Sequence, residues 1–75
     1  LPIFPEFYDL LQRAYTYLEN NDPTLRAVLH FEQELARLHG IAHPGIPAHV
    51  ILKSHFGKLP PQREKLLGSL EQKES

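Results

Sequence analysis

No cysteine occurs in the 75 residues, which excludes disulfides and thiolate zinc sites and leaves the redox compartment unmarked. No apolar run exceeds that of Val50-Ile51-Leu52, so nothing approaches the ~20 residues of a membrane-spanning helix. The opening Leu-Pro-Ile-Phe-Pro-Glu has neither the basic start nor the apolar stretch of a signal peptide, and no Met precedes it. The chain therefore reads as a piece of a longer protein, cytoplasmic and without a membrane partner. Charge of one sign is lacking too. Eight basic and nine acidic residues give −1, too balanced for a nucleic-acid-binding arm or an acidic tail. Alternating apolar and polar runs bounded by turn dipeptides are missing, and β-branched residues are few. There is no fixed-period repeat and no low-complexity tract.

What is present is an apolar content of 41% with four Phe and three Tyr. That suffices for one small core and argues against disorder. Residues 1–75 are read as a single helical domain. The fold class is all-α, a small bundle of about four helices joined by Pro/Gly-rich loops.

The first helix opens after Pro5 and runs to about Leu18, its apolar face formed by Phe7, Leu10, Leu11, Ala14, Tyr17 and Leu18 and widened by Tyr8 and Tyr15. Asp22 is expected to cap the next helix and Pro23 to open it, since proline lacks only an N–H that has no helical partner there. That second helix extends to about His39, with Leu25, Val28, Leu29, Phe31, Leu35 and Leu38 inward and Arg26, Gln33, Glu34 and Arg37 outward. Gly40 stops it. A third helix fits Pro47 to Phe56, ended by Gly57. A fourth fits about Pro61 to Gln72, with Leu66, Leu67 and Leu70 inward and Gly68 weakening it.

Catalytic and metal chemistry find little support in the residues. His39 and His43 have ligand spacing, but Gly40 and Pro44 break the helix that would align them, and His49 and His55 are six apart. No serine or threonine lies in a nucleophile turn. Glu32 and Glu34 are two apart on a helix and do not share a face. Glu32 reads as an ion-pair partner or a cap. No enzyme activity, metal or cofactor is expected.

Charge is nonetheless segregated. Residues 1–51 hold three basic and six acidic groups, while residues 52–75 hold five basic and three acidic. Lys53, Lys58, Arg63 and Lys65 form a cluster near His55 suited to phosphates, and are the candidate DNA contacts. Phe7, Phe31 and Phe56 fall on apolar faces. Phe4, Tyr8 and Tyr15 are less committed and are the candidate partner-binding residues.

The pattern Phe7-x-x-Leu10-Leu11, the Asp22-Pro23 break and the run Phe31-Glu32-Gln33-Glu34-Leu35-Ala36-Arg37-Leu38-His39-Gly40 carry a resemblance. From Phe4 to Gly45 the chain resembles the helical C-terminal region of the bacterial recombination mediator RecO family. In that family such a run closes a core helix and leads into a Pro-containing loop, as Ile41 to Pro44 does here. The chain departs from the family in lacking the four-cysteine zinc site of many members and the N-terminal oligonucleotide-binding barrel. The resemblance implies DNA repair by homologous recombination, with DNA, single-strand-binding protein and the partner RecR as ligands. It transfers no contact residue, because the matching positions are core positions. The alternative from the residues alone is a helical protein-interaction domain that binds a partner helix or self-associates.

Overall fold

A computed structural model of the chain describes residues 5–74. Four helices follow one another: α1 (Pro5–Glu19), α2 (Leu25–Leu38), α3 (Ala48–Phe56) and α4 (Gln62–Glu74). There is no strand among the described residues. The all-α expectation holds, and each helix end lies within two residues of its expected place. Helix α1 packs mainly on α4, and α2 on α3. The assembly is flat, with Cα extents of 35 × 27 × 16 Å.

Each boundary has a local cause. The side-chain amides of Asn20 and Asn21 donate to the carbonyls of Thr16 and Tyr17, adding to the bonds that the Asn20 backbone N–H makes to both. Thr24, not Asp22, caps α2: its Oγ1 accepts from the Ala27 N–H at 3.1 Å. Asp22 instead turns the chain at φ 53, a left-handed conformation that Asp tolerates better than most residues, and Pro23 stays outside the helix. At the other end of α2 the Gly40 N–H donates to the Arg37 carbonyl and the Ile41 N–H to the Ala36 carbonyl. This 5→2 and 6→1 pairing is the Schellman closure, and it places Gly40 at φ 68. Gly57, at φ 95, ends α3 by donating to the Lys53 carbonyl.

The core is a single layer. Phe7, Leu11 and Tyr15 of α1 meet Val28 and Ala36 of α2, Leu52 and Phe56 of α3, and Leu66 and Leu70 of α4. Leu11, Leu52 and Leu66 are fully buried, each contributing about 1.5–3 kcal/mol of transfer free energy. Phe7 lies stacked on Phe56 with centroids 3.7 Å apart, and the His39 ring meets both edge-on.

The buried face of α2 differs from the leucine stripe. Its inward row is Val28, Glu32 and Ala36, while Leu25, Leu29 and Leu38 are exposed and Phe31 and Leu35 only partly covered. The helix is rotated so that Glu32 reaches its partners, and small Ala36 lets it approach its neighbours. On α1, likewise, Leu10 and Tyr17 lie largely outside the core.

Candidate functional site

The centre of the molecule holds a polar cluster built from three helices. Glu32 of α2 is fully buried. The Arg63 guanidinium of α4 donates to it twice, from Nε to Oε2 at 2.6 Å and from Nη2 to Oε1 at 3.2 Å. Tyr15 of α1, also fully buried, donates its hydroxyl to Oε2 at 2.7 Å. Both carboxylate oxygens are thus occupied, and the two-pronged Arg contact suits the planar fork of the guanidinium.

The titration behaviour follows from this geometry. Burial pushes the Tyr15 hydroxyl far above its usual value, and the charge and hydrogen bond of Glu32 push it further the same way. For Arg63, burial opposes the charged form, but the hydrogen bonds and charge of Glu32 outweigh it and hold the guanidinium above its usual value. The three side chains are buried and committed to one another. Its chemistry is cohesion.

Two sequence-derived assignments fall here. Arg63 is not a surface DNA contact: it is 8% exposed and committed to Glu32. Tyr15 is not at a partner surface, because its ring fills the core beside Phe31 and its hydroxyl is spent on Glu32. Phe4, the third partner-binding candidate, lies outside the described residues. Tyr8 is half-buried.

The remaining cations are exposed but not equivalent. Lys53 stands on the last turn of α3 with His55. Lys58 follows α3, its ammonium 5.0 Å from the centroid of the Tyr8 ring. Lys65 lies 3.9 Å from Glu19 across the α1–α4 seam, in a pair exposed enough to be worth little. No group of three His, Asp or Glu among the described residues converges as metal ligands would.

Apolar surface is also on offer. A cavity of about 560 Å³ lies between α2 and the segment leading into α3, lined by Ala36, Ala42, Ile46, Ala48 and Ile51 among others. Gln33 belongs both to this cavity and to a shallower one of about 430 Å³ that holds Leu25, Arg26, Leu29 and His30. The uncovered side of α2 therefore runs continuously along the helix. The leucine spacing that marked this helix for burial hid that surface. Its signal was the single charged residue, Glu32, in the row Val28, Glu32, Ala36.

No protein-family model matches the chain, and no curated protein or solved structure is significantly similar to it.

Proposed function

We propose that the chain is a non-enzymatic helical binding module, of the kind the RecO resemblance implies, serving DNA repair and recombination by meeting DNA and partner proteins. The observation that supports a binding role most directly is the division of its polar groups. The Glu32 acid, Tyr15 phenol and Arg63 guanidinium are held in the core, while Lys53, Lys58 and Lys65 stand outside. The Phe31–Gly40 run, which carries part of the resemblance, lies on α2 and its Gly40 closure, ahead of a Pro-containing loop. With Arg63 withdrawn, phosphate contacts fall to those three lysines. DNA affinity is then modest and salt-dependent.

Fluorescence anisotropy with labelled single- and double-stranded DNA at two salt concentrations tests this reading. Salt-sensitive binding, weakened by alanine at Lys53 and Lys58 with unchanged helicity, is the expected result. Binding that ignores both salt and these substitutions contradicts it.

A second reading, a protein-interaction domain, is favoured by the exposed leucines of α2. Leu25 and Leu29 lie one turn apart beside the cavities, suited to an amphipathic helix or a second copy of the chain. Under this reading Leu29→Glu leaves the helical signal intact and abolishes concentration-dependent light scattering. Scattering that is monomeric at every concentration removes self-association.

A further inference from the structure

Tyr8 and Lys58, which sequence reasoning assigned to different roles, meet in the fold, one on the first turn of α1 and the other just after α3. We propose that this pair forms a stacking subsite for an unpaired base of single-stranded nucleic acid, with Lys58 taking the adjoining phosphate. The proposal rests on the DNA-binding reading and gives it a location and a strand preference.

The platform has a rigid base. Phe7, next to Tyr8, is 9% exposed and stacked on Phe56, which is 4% exposed, so both chain segments bearing the pair are anchored in the core. Gly57 at φ 95 turns the chain between Phe56 and Lys58. The Tyr8 ring is half-buried, and the ammonium of Lys58 stands 5.0 Å from its centroid. The ring face that holds the ammonium is the one a base stacks on, and stacking there is at least comparable in strength to the ammonium contact. An incoming base therefore displaces Lys58 from the ring and leaves it beside the strand's phosphate.

Basic residues on the last turn of α3 adjoin the segment that bears Lys58. Lys53 and His55 share that turn, and the His55 ring packs edge-on against Phe56 with centroids 4.6 Å apart. Of the acidic groups on the first turns of α1, Asp9 is paired with Arg13 at 3.0 Å. Glu6 remains exposed and repels phosphate. Bases of a duplex are already stacked on each other, so the subsite selects single strands.

The test uses the full chain, a labelled oligothymidylate and a duplex of equal length. Wild-type protein is expected to bind the single strand more tightly. Tyr8→Ala weakens that binding by about tenfold, a stacking contribution of ~1.4 kcal/mol, whereas Tyr8→Phe stays within about twofold. Lys58→Ala lowers the slope of log affinity against log salt by about 0.7, the value for one phosphate on a single strand. Glu6→Gln strengthens binding. Tyr17→Ala, at a ring 59% exposed elsewhere on α1, leaves it unchanged. Because the chain has no tryptophan, Tyr8→Trp supplies a single emission reporter, expected to be quenched by the oligonucleotide in a folded protein. Single-strand binding that survives Tyr8→Ala but is lost on Lys53→Ala or Lys65→Ala overturns the subsite and spares the DNA-binding reading. Equal losses for Tyr8→Phe and Tyr8→Ala, or no quenching of Tyr8→Trp by bound oligonucleotide, also overturn the subsite. Wild-type protein that binds neither strand overturns both.

Discussion

Glu32 decides more of this molecule than any other single residue. Its carboxylate takes three hydrogen bonds from two other helices in the absence of solvent, so removing it strands a buried guanidinium. Glu32→Ala is expected to cost about 3–5 kcal/mol in urea unfolding, the range for breaking one partner of a buried ion pair. Tyr15→Phe, which deletes one hydrogen bond and keeps the ring, is expected to cost about 1–2 kcal/mol. A Glu32→Ala cost below that of Tyr15→Phe would contradict the assigned roles. Tyr15 also sets an alkaline limit. Its folded-state pKa lies above the unfolded value near 10, so the unfolded chain loses the proton first. Stability is then retained below about pH 10 and falls as pH rises beyond it, a loss that Tyr15→Phe removes from the pH profile of the melting temperature. From its sequence position Glu32 was readable as an ion-pair partner or a cap, and the structure makes it the former. Its mate was not, because Arg63 lies 31 positions away and only the docking of α4 selects it from the chain's other cations.

The helices themselves were legible, since Pro and Gly punctuate the chain at every break and the termination signals are local. Their rotation was not. Hydropathy places Leu25, Leu29 and Leu38 inward on α2, but a helix turns as one body, and seating Glu32 against Arg63 and Tyr15 leaves those leucines outside. The cap of α2 shows a similar competition. Asp22 and Thr24 both suit the role, and the left-handed turn at Asp22 assigns it to Thr24. Thr24→Ala should therefore cost about 1 kcal/mol, read as a lower urea midpoint. On α4, a Cβ added to Gly68 meets nothing within 4 Å. Gly68→Ala is expected to stabilise the chain by up to about 1 kcal/mol, read as a higher urea midpoint. A lower midpoint would mean that α4 is not continuous through this residue.

Across the whole molecule, flatness and charge together govern what the surface offers. A body whose Cα atoms extend only 16 Å in its thinnest direction buries one layer of side chains, so much of its apolar content remains outside. No helix among the described residues is long and apolar enough to cross a membrane. Net charge is −1 at neutral pH, so any attraction to nucleic acid is local, and the proposed reading centres it on Lys53, Lys58 and Lys65. The lysines were visible in the sequence as a cluster. That Arg63 is sequestered, and that Lys58 stands beside Tyr8, depends on tertiary packing alone. The most direct test is the dependence of single-strand affinity on salt, measured by anisotropy on the intact chain. Contacts to two or three phosphates predict a log–log slope of about −1.4 to −2.1. A slope near zero, or a slope steep enough to require many more cations than the structure exposes, would contradict the account.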